Sequence, residues 1–318
     1  MKRKSFVSVF LAALVLLGTL PQPAAAEWKD SRKFTSMYVF GDSLSDPGNA
    51  FAVTGAVATG TEPIPSAPYD VNGHRFTNGP TWVEVLARQA RLLRGALPAL
   101  RYPWAGNYEF GGARAGTDSP ALDLPEQIGL FLSNNDGVAP EDALYVIQFG
   151  GNDINQALTA GSPADAQAAI VNAVAAVKQN ILTLKARGAR KFLVANAPNL
   201  GRVPVVRAVG ADIPAEQLSL LFNGLLDGAM AELATGDVEI YRINLFAFLD
   251  AASEYPQGLG FAGDPNPLTA PCLPVFIPEL GVCQDPDQRL FWDGLHPTRA
   301  AHRIAGNVAY NILGLAGD

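Results

Sequence analysis

Histidine, cysteine and tryptophan are scarce in this sequence, at three, two and four among 318 residues. With so few histidines, and no His-Glu-x-x-His or comparable ligand spacing, no metal site is expected. Two cysteines cannot build a disulfide framework. Cys272 and Cys283 lie close together in one segment with Pro267, Pro271, Pro274 and Pro278, so they are expected to pair with each other in an oxidising compartment. Such a bridge typically contributes about 2–4 kcal/mol. Basic charge is short as well, with 23 Lys and Arg against 30 Asp and Glu. The net charge of −7 argues against a nucleic-acid partner and against an electrostatic grip on anionic lipid, while leaving apolar and ester substrates open. Beyond the N-terminus no apolar run approaches the ~20 residues that a membrane-spanning helix needs. Repeats and low-complexity linkers are missing too.

What is present begins with an address. Lys2, Arg3 and Lys4 precede an apolar run from Phe6 to Leu17 and a small-residue site at Ala24-Ala25-Ala26. This is the layout of an export signal over residues 1–26. Cleavage would leave residues 27–318 as one domain and, because three basic residues leave with the signal, take the net charge to −10. The chain is expected in the periplasm or the medium. No cysteine stands at the cut, so lipid anchoring is not expected. No C-terminal membrane barrel is expected either, since the chain ends soon after its last helix, at Asp318.

Strand and helix patterns then alternate. Met37 to Phe40, Asn107 to Ala113, Ala143 to Phe149, Lys191 to Ala195 and Val238 to Ile243 read as short strands. Thr81-Trp82-Val83-Glu84 fits a capping box, with Trp82, Val85, Leu86 and Leu93 following at helical spacing. Ser162 and Pro163 open a longer helix with Ile170, Val174, Val177, Ile181 and Leu184 as its stripe and Gly188 at its end. Another helix carries Leu218, Leu221, Phe222, Leu225 and Ala229. Thr298 caps the last, which turns Ala301, Ile304, Ala305, Val308 and Ile312 inward and leaves His302 at or near the surface. Such alternation implies an α/β fold with a parallel sheet covered on both faces.

Polar residues collect just past the strand ends. Ser43 follows the first strand, Gly111 and Gly112 the second, and Asn152 the third; Asp293-Gly294-Leu295-His296-Pro297 precedes the final helix. In an open α/β sheet, residues so placed converge on the crevice at the carboxyl ends of the strands. The set suits acyl transfer. Ser43 needs a base, and His296 is the best candidate; Asp293, three residues earlier, can hold the imidazole in one tautomer. The N–H of Ser43, the N–H of Gly112 or Gly111 and the amide of Asn152 offer three donors to an oxyanion. Alone, Asp-x-x-His is often a helix cap and Gly-Asn-Asp a turn. His74, in a polar loop without an adjacent carboxylate, is not expected to act chemically, and Trp82 and Phe76 are expected in the core.

Five blocks carry a resemblance: Gly41-Asp42-Ser43-Leu44-Ser45-Asp46, Arg75 to Trp82, Asn107 to Ala113, Gly151-Asn152-Asp153, and Asp293 to Pro297. In this order, over nearly the whole mature chain, they resemble the GDSL, or SGNH, hydrolases. The resemblance implies a three-layer α/β/α, flavodoxin-like fold, no cofactor, and esterase or lipase activity on a small-molecule ester or lipid. It assigns catalysis to Ser43, Gly112, Asn152, Asp293 and His296, and within the family the chain looks most like exported lipolytic esterases related to phospholipase/acyltransferases. Glu109 departs from the pattern, standing where members often carry a small residue. A Gly-x-Ser-x-Gly elbow is missing around Ser43, against the α/β-hydrolase fold. The loop from Pro47 to Gly79 and the disulfide segment are expected to shape an acyl pocket. A carbohydrate acetylesterase or a lipid acyltransferase on the same fold are the alternatives, and a non-enzymatic anion-binding protein the remotest.

Overall fold

A computed structural model describes residues 33–57, 67–117, 119–234, 236–274 and 277–315. The signal expected over residues 1–26 lies outside the described residues. Four short apolar stretches become strands: β1 (Ser36–Gly41), β2 (Ala143–Gln148), β3 (Lys191–Ala195) and β4 (Glu239–Ile243). They form one parallel sheet in the order β1-β2-β3-β4. Its register brings Gly41, Gln148, Ala195 and Ile243 into one row, so the strands finish at a common edge.

Side chains alternate across the sheet, as the pleat demands. Phe40, Tyr145, Ile147, Phe192 and Val194 face one apolar core. That core is closed by α3 (Leu124–Asn134), α4 (Gly151–Leu158), α5 (Pro163–Ala186) and α7 (Asp212–Leu233). Met37, Val39, Leu144, Val146 and Leu193 face a second core built with α2 (Trp82–Gln89) and α9 (Arg299–Ile312). Every residue of β2 is buried, as expected of a central strand covered on both faces. The α/β/α layering expected from the alternation is therefore present.

Three local expectations change. Asn107 to Ala113 is not a regular strand: Asn107 Oδ1 accepts the N–H of Glu109 at 3.0 Å, and Gly111 N–H turns away to Asp46 at 2.9 Å. The segment still runs parallel along the free edge of β1, through Val39 N–H to Gly106 O (2.9 Å) and Tyr108 N–H to Val39 O (2.8 Å). It extends the sheet there and sets the chain reversal beside β1, where ligands bind in open α/β sheets. Helix α2 stops at Gln89, so Leu93 falls in a 3₁₀ turn (Leu93–Ala96) and is 59% exposed. On α9 the buried stripe is Ala301, Ala305 and Ala309, whereas Val308 is 40% exposed. The small residues let α9 lie close to α2; at Gly306 even a Cβ would stand 2.7 Å from Trp82 O. No helix among the described residues is long and apolar enough to cross a membrane.

Candidate active site

The turn after β1 is held by its own carboxylates. Asp42 Oδ1 accepts the N–H of Leu44 at 3.0 Å, and Asp42 O accepts those of Ser45 and Asp46. Asp46 accepts four backbone N–H groups: Gly48 and Asn49 on one oxygen, Ala50 and Gly111 on the other. It thereby caps α1 (Asn49–Val57) and ties the second glycine-bearing loop to the first turn. Gln127, from α3, both accepts from Gly41 N–H (3.0 Å) and donates to Gly41 O (2.8 Å), an oxygen that also accepts Phe110 N–H at 3.2 Å, so the strand end is fastened from two sides. Gly41 itself tolerates no side chain, since a Cβ would come within 2.3 Å of Glu109 Oε1 and 2.8 Å of Gln148 O. Ser43 emerges, half-buried, from this bracing.

Ser43 Oγ lies 2.9 Å from His296 Nε2, and His296 Nδ1 lies 2.8 Å from Asp293 Oδ2. Asp293 Oδ1 accepts the N–H groups of Leu295 and His296 at 2.7 and 2.6 Å, which folds the loop into one turn. Tyr69 donates to Asp293 Oδ2 at 2.7 Å. Phe76 is half-buried, packs against the main core and sets its ring on that of His296, centroids 5.4 Å apart.

Asn152, in the first turn of α4, donates through Nδ2 to Ala113 O at 2.9 Å, and Asp153 accepts from Ala115 N–H at 3.0 Å. These bonds hold the loop of Gly112 against α4. The structure also separates the two glycines. Gly111 N–H is taken by Asp46, whereas Gly112 has φ +83°, with its N–H unpartnered among the described residues. The need for glycine at 112 is thus conformational; space around its Cβ position is open.

Electrostatics separates the carboxylates. Burial pushes the Asp293 carboxyl up, but the adjacent imidazole and the hydrogen bonds from His296 and Tyr69 outweigh it and bring the group down to about 2. Burial disfavours the His296 imidazolium, yet Asp293 and then Asp42 overcome this and raise it above its ordinary value. Asp42 and Asp46 are each pushed up to about 6 by burial against the hydrogen bonds they accept. Glu109 is pushed well above the carboxylate range, first by burial and then by Asp42, with Asp46 adding to it. Its Oε1 has no partner among the described residues.

Ser43, Asn152 and His296 open onto one cavity whose further wall is Leu200, Val203, Val206, Leu245, Phe248 and Leu249. Those residues come from the stretch between β3 and α7 and from α8 (Leu245–Glu254). Among the described residues, neither the 47–79 loop nor the disulfide segment lines it, contrary to expectation. The loop instead carries Tyr69 and Phe76 to Asp293 and His296. The bonded pair Cys272–Cys283 braces the stretch ahead of Asp293, through Cys272 N–H to Phe291 O (3.0 Å) and Leu273 N–H to Trp292 O (2.6 Å). His302 is also reassigned: it is 4% exposed, accepts the N–H of Trp82 on Nδ1 at 3.3 Å, and is lowered by burial and by His296 to about 3. It is a neutral cap on α2. His74 stacks on Phe51, away from these residues.

Of the sequence-derived residues, Ser43, His296 and Asp293 stand in one hydrogen-bonded line, and Asn152 faces the same cavity. Gly112 adjoins the Asn152 anchor at Ala113 and is not itself part of the cavity wall. Sequence reasoning missed Asp46, Gln127 and Tyr69.

Comparison with known proteins identifies the family. A family model described as GDSL-like Lipase/Acylhydrolase matches residues 37–309. An uncharacterized protein in the trpE-trpG intergenic region of Pseudomonas putida is 31% identical over 306 residues, covering 88% of this chain and 48% of that protein. Esterase EstA of Pseudomonas aeruginosa is 28% identical over 333 residues, covering 94% of this chain and 49% of EstA. The chain spans about half the length of these two relatives. A phosphatidylcholine-sterol acyltransferase of Aeromonas hydrophila is 26% identical over 333 residues, 89% of this chain and 92% of the acyltransferase.

Proposed function

Because the chain belongs to the GDSL-like lipase/acylhydrolase family, we propose that it is an exported serine esterase that cleaves acyl esters of apolar chains. The observation that carries the reading is the unbroken line from Ser43 Oγ through His296 to Asp293 Oδ2, at 2.9 and 2.8 Å. Ser43 Oγ attacks the ester carbonyl as its proton passes to His296 Nε2. Asp293 holds the imidazole with Nδ1 protonated and stabilises the imidazolium that forms. The N–H groups of Ser43 and Gly112, with the second N–H of the Asn152 amide, receive the charge on the carbonyl oxygen. The C–O bond to the alcohol then breaks, and His296 returns the proton to the leaving oxygen. Water, deprotonated by His296, releases the acid from the acyl-enzyme by the same path. An alcohol in place of water would make the enzyme an acyltransferase, a second reading that the similarity to the Aeromonas hydrophila protein favours. The signal-like layout of residues 1–26 in the sequence and the Cys272–Cys283 bond support action outside the cytoplasm.

The apolar wall from Leu200 to Leu249, aliphatic but for Phe248, supports an acyl chain over an acetylated sugar. Each methylene buried there is worth about 0.8 kcal/mol, roughly a three- to fourfold gain in kcat/KM. Hydrolysis of p-nitrophenyl esters from acetate to palmitate is therefore expected to rise with chain length until the cavity fills. Fastest turnover on acetate, with each added methylene slowing the reaction, would favour the acetylesterase.

A further inference from the structure

Asp293 receives four hydrogen bonds, and one of them comes from far outside its own loop. Backbone N–H groups of Leu295 and His296 occupy Oδ1, while Oδ2 accepts both His296 Nδ1–H (2.8 Å) and the Tyr69 hydroxyl (2.7 Å). Tyr69 is brought there by a segment with its own supports. Asp70 N–H donates to Thr77 O at 3.0 Å, Arg75 pairs with Asp70, and Arg75 forks onto Glu84 of α2 at 2.5 and 2.6 Å. The Tyr69 ring stands edge-on to Trp292, centroids 6.2 Å apart. Burial, and then the neighbouring Asp293 charge, push the phenol above its ordinary range, so it remains a donor at every working pH.

Two donors on one carboxylate oxygen compete for the same charge. A phenol on Oδ2 draws density from the lone pairs that hold the imidazolium, so Asp293 pulls less strongly on the His296 proton. The other groups facing His296 are Ser43 on Nε2, Asp42, whose charge favours the imidazolium, and the neutral His302. Within this surrounding we propose that Tyr69 is a positioning residue that fixes the Asp293 carboxylate and tempers its basicity. His296 then gives up its proton at a lower pH than Asp293 alone would allow. The inference rests on the reading of Ser43, His296 and Asp293 as the reacting set.

The sign follows from the competition. In Tyr69→Phe the ring and its contact with Trp292 are kept, but Oδ2 holds only the imidazole, so the protonated form of His296 persists to higher pH. The titration midpoint of His296, followed by NMR of labelled histidine, is expected to rise by about half a unit or more. The acid limb of kcat/KM should move in the same direction. Incorporation of a monofluorinated tyrosine at 69, a stronger donor of nearly the same shape, should move both the other way. It also serves should Phe at 69 loosen the segment. A midpoint that stays or falls in Tyr69→Phe would overturn the inference, even if activity is lost, because a mere brace for the loop changes rate without moving the titration. Absence of ester turnover in the wild type would count against the functional reading, while the NMR midpoints would still judge Tyr69.

Discussion

Replacing His296 by alanine is expected to lower kcat for ester hydrolysis by about 10⁴- to 10⁶-fold, with KM changed only a few-fold. The ground-state contacts of the acyl chain lie with Leu200, Val203, Val206 and α8, which the substitution leaves in place. What disappears is the acceptor 2.9 Å from Ser43 Oγ, the only imidazole bonded to that hydroxyl. An alcohol without a base at this position is almost wholly protonated near neutral pH, and the leaving oxygen loses its proton donor as well. His302 cannot substitute: it is buried, engaged with Trp82 N–H and held neutral. Steady-state kinetics on a p-nitrophenyl ester, with circular dichroism to confirm the fold, checks this. A loss of less than tenfold would remove His296 from the chemistry.

The second large effect is expected at Asn152. Its Nδ2 is anchored on Ala113 O at 2.9 Å, and the remaining N–H of the same amide, unpartnered among the described residues, is available to an oxyanion in the cavity. Loss of one such donor costs about 2.7–4 kcal/mol of transition-state stabilisation, or about 10²- to 10³-fold in kcat. Asn152→Ala should therefore lower kcat by that amount and KM little. Asn152→Asp should be at least as poor, because a carboxylate would repel both the oxyanion and the Ala113 carbonyl. Equal rates in wild type and Asn152→Ala would show that Ser43 and Gly112 hold the charge without it.

The candidate site residues were legible because each sits in a short segment with its own local logic. Asp293 and His296 lie within a single turn, and Ser43 follows an apolar run that ends at a glycine. The sheet was legible for a similar reason, since β2 is apolar from end to end and buried from end to end. Helix ends were less so: the 3.6-residue period continues through Leu93 on paper, although the helix stops at Gln89. The same period placed Ala301 and Ala305 correctly but Val308 inward, where close packing of α9 on α2 favours Ala309, one position away. Tyr69 and Gln127 left no local mark at all. Their partners stand 224 and 86 residues away, at Asp293 and Gly41, and no spacing rule reaches so far. Glu109 was visible only as a departure from a pattern. Its physical setting, a buried carboxyl filling the space beside Gly41, required the fold to bring the two together. Among the described residues the pocket also differs from expectation, since composition drew attention to proline-rich loops while the fold turned α8 and the stretch after β3 toward Ser43.

A covalent bond at Ser43 is the central requirement of the proposed chemistry. Incubating the protein with a fluorophosphonate ester and measuring intact mass, followed by peptide mapping, tests this directly. One adduct per chain on Ser43, formed in step with loss of esterase activity and absent from Ser43→Ala, is the predicted result. An adduct on another residue, or undiminished ester hydrolysis by Ser43→Ala, would contradict it.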